Sequence, residues 1–178
     1  MHSTGAEHPA GCDLIGAISG QDMMDLQQFE GLIARVTGQL EGRTTDAALT
    51  DWLNENIPAD GDLFQEITSA CHSGIKDGWL CQHSAGGIDY GRAIKQGPAT
   101  HGYSVDVVRM KDVKGPHHAH PKGEIDMIMP NDDGAKFDGS PRGWLVYGPD
   151  TAHHPTVTEG EALVLYLLPD GAIEFTRG

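Results

Sequence analysis

The stretch Gly115–Glu124 reads Gly-Pro-His-His-Ala-His-Pro-Lys-Gly-Glu, and within it His118, His120 and Glu124 form His-x-His-x-x-x-Glu. On an extended strand side chains alternate between faces, so His118 and His120 point the same way, about 7 Å apart. A turn at Pro121–Gly123 then returns the Glu124 carboxylate beside both imidazoles. Two imidazoles and a carboxylate on one wall suit a divalent first-row transition metal, with Fe, Mn, Zn and Ni all compatible. The plain alternative is a solvent-facing histidine-rich turn. It accounts for the composition but not for the agreement between spacing, turn and a second histidine cluster downstream.

That second cluster is Gly148-Pro149-Asp150-Thr151-Ala152-His153-His154-Pro155. A tight turn followed at once by histidine returns an imidazole to the first cluster from the opposite strand. If the strand continues, Val157 shares a face with His153, whereas Thr156 and Thr158 share one with His154. The apolar partner favours His153 as the fourth ligand, with His154 as the alternative. His117 has the opposite parity from His118 and His120 and belongs behind the ligands or on the surface. Asp126 shares the parity of Glu124. It is either a general base whose pKa a metal would depress or a structural hydrogen-bonding group.

Such side chains need a rigid frame. Past Gly78 the chain consists of short runs separated by Gly, Pro, Asn and Asp. Trp79–His83, Ile88–Ile94, Tyr103–Val113, Glu124–Met129, Trp144–Tyr147, Ala162–Leu168 and Ala172–Thr176 read as strands. Many short antiparallel strands predict a sandwich or barrel. From Asp22 to Gly74 the pattern is helical instead. Phe29, Leu32, Ile33, Val36 and Leu40 make one apolar face, closed at Gly42. Thr45 is the expected cap of a second helix carrying Leu49, Trp52 and Leu53 up to Pro58. Asp62 and Gln65 resemble a capping box for a third, with Leu63, Ile67 and Cys71, ending at Gly74.

The expected organisation is a flexible tail over 1–21, a helical region over 22–77 and a β-domain over 78–178, with the helices packed on the sheet. If Glu124, Asp126 and Ile128 face inward, Ile125, Met127 and Met129 face outward and need a cover. Either the helices or a partner subunit can provide it, and a homodimer is the expected assembly.

The formal net charge is −14, from 26 acidic and 12 basic residues. That argues against nucleic acid, whose phosphates demand clustered Lys and Arg, and against anionic membrane surfaces. No apolar run approaches the ~20 residues of a membrane span. Met1–Asp13 lacks the basic flank and apolar core of a signal peptide, so a cytoplasmic location is the default expectation. Cys12, Cys71 and Cys81 form no Cys-x-x-Cys pair, so neither a zinc clip nor a disulfide framework is expected.

His118-x-His120-x-x-x-Glu124, followed some thirty residues later by a Pro-turn-His element, resembles the two metal-binding motifs of the cupin superfamily. The resemblance implies an all-β, cupin-like antiparallel barrel (jelly roll), here with an N-terminal α-helical extension. In cupins two histidines, a glutamate and a further histidine hold a divalent metal. Three departures stand out: the glycine before the first histidine is displaced to Gly115, Asn131 replaces a turn glycine, and Asp150 stands where another would be usual.

A narrower resemblance covers more of the chain. Asp77-Gly78-Trp79-Leu80-Cys81, the run from Gly97 to Met110 and the run from Leu165 to Phe175 are similar to the small cupin-like 4-hydroxylaminobenzoate lyase family. That resemblance implies conversion of 4-hydroxylaminobenzoate to 3,4-dihydroxybenzoate with release of ammonia. Such chemistry needs an electrophile at the N–O group and a cation for the small aromatic carboxylate substrate. Arg109, at the parity of Tyr103, Val105 and Val107, is the first candidate for that cation and Arg92 the reserve. Tyr90, Trp79 and Trp144 are candidates to wall the ring. Two rival activities share the donor set: a metal-dependent dioxygenase on a small aromatic substrate, and a non-enzymatic small-molecule-binding cupin.

Overall fold

The computed structural model describes residues 24–177. The tail expected over 1–21, Asp22 and Cys12 lie outside them. Three helices come first. In α1 (Leu26–Leu40) the Asp25 side chain accepts from Gln28 N at 2.7 Å while Gln28 Oε1 accepts from Asp25 N at 3.0 Å, a reciprocal cap. Helix α2 (Ala47–Asn56) is capped by Asp46, which accepts from Leu49 N, and not by the expected Thr45. Helix α3 (Asp62–Asp77) starts at Gly61 with no side-chain cap. The expected Asp62–Gln65 box does not form, because the Gln65 amide donates instead to Ala59 O at 2.6 Å.

Helix α3 also runs past Gly74. Its stop is Gly78, in the left-handed region at φ +82°. Gly74 serves packing, since a Cβ there would lie 2.7 Å from the Leu80 side chain. Trp79 N and Leu80 N both donate to Gly74 O at 3.0 Å, so the expected strand at Trp79–His83 is a turn off the helix.

Ten strands follow: β1 (His83–Ala85), β2 (Ile88–Ile94), β3 (Tyr103–Lys114), β4 (His118–His120), β5 (Glu124–Pro130), β6 (Lys136–Phe137), β7 (Gly143–Tyr147), β8 (Thr151–His153), β9 (Thr156–Pro169) and β10 (Glu174–Phe175). A seven-stranded sheet runs β1-β2-β3-β9-β5-β7, with β6 alongside the start of β9, and a three-stranded sheet runs β10-β4-β8. All ladders are antiparallel. The fold is thus cupin-like and antiparallel with a helical N-terminal part, but its ladders do not close into one continuous barrel. No helix among the described residues is long and apolar enough to cross a membrane.

Strand parity sorts the large sheet into two faces. Val105, Val107, Ile125, Met127, Met129, Leu163, Leu165 and Leu167 share one core with Phe29, Ile33, Leu53, Phe64 and Ile67 of the helices. The chain's own helices therefore cover the Ile125/Met127/Met129 face, and no second subunit is needed for it. Trp144 and Trp79 also belong to this layer, edge-on to Phe64 and Phe29 at 5.9 and 5.5 Å, and not to a substrate wall. The opposite face carries Val108, Met110, Ile128, Val164 and Tyr166 toward the small sheet.

Candidate metal centre

Strand β4 is only three residues long, and each end is shaped by a glycine. Gly115 N donates to Pro155 O at 2.6 Å, and a Cβ at Gly115 would meet Pro155 Cγ at 2.9 Å. After β4, Gly123 turns the chain at φ +90°, where a Cβ would lie 2.6 Å from the Thr45 methyl and 2.8 Å from Tyr147 O. The turn joins the small sheet to the large one and sets Glu124, the first residue of β5, beside β4. From the other side β8 pairs with β4 so that His153 stands directly opposite His118.

His118, His120, Glu124 and His153 converge, with one donor atom from each lying within 4.8 Å of all the others. Glu124 Oε2 is 2.9 Å from His118 Nε2 and 3.0 Å from His120 Nε2. His153 Nε2 is 3.1 Å from His118 Nε2 and 3.4 Å from Glu124 Oε1. Four donors about 2.1 Å from one first-row ion lie about 3.0–3.4 Å from one another, so these spacings fit a single divalent ion. Buried His120 Nε2 and Glu124 Oε1 have no hydrogen-bond partner, an expensive state that a cation relieves.

The ring tautomers point the same way. The Thr151 hydroxyl donates to Gly148 O at 2.7 Å, so it accepts from His120 Nδ1 at 3.0 Å and leaves the Nε2 lone pair for a metal. His153 Nδ1 donates to Asp138 Oδ2 at 2.6 Å, which turns its Nε2 toward the cluster. The Tyr147 hydroxyl donates to that oxygen at 2.6 Å, and Thr156 N to Asp138 Oδ1 at 2.9 Å. Asp138 and Tyr147 escaped sequence reasoning. The one signal was the Asp138-Gly139 turn pair, and Asp138 does adopt φ +48° there.

Burial alone would raise the Glu124 pKa, but the imidazoles of His118, His120 and His153 beside its carboxylate hold it well below the usual range. Burial likewise opposes a charged His153, yet the Asp138 and Glu124 carboxylates outweigh it and lift that pKa to about 9. Asp126 is fully buried and its carboxyl oxygens have no partner. Desolvation and the adjacent Glu124 charge push its pKa well above the usual range, so it holds a proton. In the metal-free chain Asp126 is thus protonated, where the sequence left open a general base or a structural hydrogen-bonding group.

His154 turns away, its Nδ1 3.2 Å from Gly115 O and its ring 4.8 Å from that of His117. The strand breaks at His154-Pro155, so parity with Val157 is not what turns His153 inward; the β4–β8 pairing is. His118 also lines a cavity of about 460 Å³ walled by Ile88, Tyr90, Val108, Met110, Tyr166 and Phe175. Arg92 and Asp106 line it too. Arg109 does not: it lies on the other face of β3, with Nε and Nη2 2.9 and 2.5 Å from Asp89 Oδ2.

The family model and the curated relatives agree on one family. Residues 31–175 match the family described as PnbB: 4-hydroxylaminobenzoate lyase. A 4-hydroxylaminobenzoate lyase of Pseudomonas putida is 28% identical over 82% of this chain and 92% of its own length. One from Nocardioides sp. (strain LMS-CY) is 32% identical over 77% and 86%. Solved structures similar to the chain include an RmlC-like cupin from Ralstonia eutropha JMP134, with TM-score 0.40, 12% identity, and 52% of this chain and 62% of that one covered. Another is the DMSP lyase DddQ from Ruegeria pomeroyi DSS-3, with TM-score 0.36, 20% identity, and 83% and 95% covered. By its match over most of its length, the chain belongs to the 4-hydroxylaminobenzoate lyase family.

Proposed function

We propose that this protein is a metal-dependent lyase converting 4-hydroxylaminobenzoate to 3,4-dihydroxybenzoate and ammonia. The observation that carries the reading is the buried His118/His120/Glu124/His153 cluster opening, through His118, on an apolar aromatic-walled cavity in a chain of this family. A divalent ion held there (Fe, Mn, Zn or Ni) supplies Lewis acidity toward the hydroxylamino oxygen. The cavity walls take the ring and keep bulk water from the reacting end. Asp126 holds the proton that an oxygen leaving as water requires.

The N–O bond breaks with both electrons on the departing oxygen, leaving an electron-poor ring. One water adds at the neighbouring carbon and a second hydrolyses the resulting imine, releasing ammonia. The net reaction consumes one water and no oxidant. Anaerobic incubation with 4-hydroxylaminobenzoate should therefore yield ammonia and 3,4-dihydroxybenzoate. Product only in air, with oxygen uptake, would give the site to the dioxygenase reading, and no product under either condition to the binding cupin.

A further inference from the structure

We propose that Arg92, held in plane by Asp106, receives the carboxylate of the aromatic substrate at the end of the cavity away from the metal cluster, and so selects para-substituted benzoates. The inference rests on the reading of this cavity as the substrate site. Among the described residues, Arg92 is the only lysine or arginine lining it. Asp106 takes the guanidinium from one edge, with Nε 2.8 Å from Oδ1 and Nη2 3.1 Å from Oδ2. A guanidinium has five N–H donors in a rigid fork, so the Nη1 side keeps donors for a second carboxylate. That side lies against the turn at Gly171, where a Cβ would meet Nη1 at 3.2 Å and Gln96 Oε1 at 2.7 Å, so the missing side chain is what leaves room beside the fork. The pairing with Asp106 fixes the plane of the fork before any ligand arrives, which lowers the ordering cost of binding.

The strand register sets the span. Arg92 stands opposite Asp106, Asp106 opposite Tyr166, and Tyr166 opposite Asp126, one row across the inner face of four adjacent strands. Strands are spaced about 4.8 Å apart, so Arg92 and Asp106 lie one to two strand spacings from Tyr166. The Tyr166 ring is in turn 6.2 Å from that of His118. A benzene ring laid over Tyr166 can present one substituent to the cluster beside His118 and the opposite one to Arg92. An ortho substituent cannot reach both. The Arg109–Asp89 pair has the same chemistry but no cavity, which is why it is not the anchor.

The test compares 4-hydroxybenzoate, 4-hydroxybenzamide and 2-hydroxybenzoate binding to the metal-loaded full chain by calorimetry. Arg92→Gln is made together with Asp106→Asn, so that neither partner is left as an unpaired charge. The native protein should bind 4-hydroxybenzoate about 10- to 100-fold more tightly than the other two, the effect of one charge-assisted contact. In the double variant the preference for acid over amide should vanish while amide affinity stays. Acid preference that survives in the variant, equal losses for acid and amide, or no preference in the native protein would each overturn the proposal. Because no turnover is measured, a protein that binds as described yet releases no ammonia would fail the lyase reading alone.

Discussion

At the scale of single residues, Asp138 carries more of the site than its distance from any motif suggests. Its carboxylate accepts from His153, Tyr147 and the backbone of Thr156 at once. Replacing it by Asn keeps a residue that tolerates a positive φ but removes the charge that fixes the His153 tautomer. Asp138→Asn should weaken divalent-metal affinity about 10- to 100-fold in a chelator competition, and should also lower the melting of the metal-free protein, because the ion pair with His153 is lost. A lowered melting point with unchanged metal affinity would reduce Asp138 to a turn residue. Convergence of His118, His120 and Glu124 was legible because it is local: alternation along three residues and one turn. Asp138 was not, because it meets His153 through tertiary pairing, 15 positions away in sequence. Arg109 was misread for the opposite reason. Its parity was correct, but the face it shares with Val105 and Val107 is the one the helices cover.

At the scale of elements, α2 solves a problem that β7 creates. Strand β7 ends the large sheet, and an uncovered edge offers unpaired N–H and C=O groups to other chains. Asn54 answers Trp144 on both sides, donating to its carbonyl at 3.0 Å and accepting from its N–H at 2.9 Å. Thr50 accepts from Val146 N at 3.0 Å, and Trp144 Nε1 donates to Ile57 O at 2.8 Å. Asn54→Ala leaves two backbone groups without partners and should cost about 1–3 kcal/mol in urea unfolding. A change below 0.5 kcal/mol, on the order of a neutral surface substitution, would mean that water replaces the amide. The apolar stripes of the helices were readable from spacing alone. Their caps were less so, since Asp46 and Thr45 are both good caps, and Thr45 is instead taken up beside Gly123 and Tyr103. Strand β6 is two residues long and carries no period to read.

At the scale of the whole molecule, the two core layers and the charged cluster respond differently to conditions. Without metal, His153 has a pKa of about 9, raised above its unfolded value. Its contribution to stability is complete below roughly pH 6.5 and is lost as pH rises through 9. Glu124 has the opposite sign: its depressed pKa gives stability that is present above the ordinary carboxyl value of 4.5 and lost as pH falls further. Asp126, whose pKa is raised, acts in the same direction as His153, so melting followed in chelator should fall as pH rises from roughly 6.5 through 9. A melting point that climbs steadily from pH 7 to 10 would contradict the charge state assigned to His153. Metal must displace the His153 proton, so metal affinity should weaken as pH drops below 9.

Three of the four converging donors stand on the small sheet and the fourth on the first residue of β5 in the large one. An ion bound there is a fastener between two layers of unequal strength. The large sheet is backed by the helical core, whereas the small one consists of strands of two and three residues. The cost of parting the layers then includes the free energy of metal binding. Loss of the ion would then loosen the β10-β4-β8 flap before the helix-backed layer. Exchange of the ion would in that sense be a hinge event on a folded platform, one that empties and refills the site without unfolding the protein.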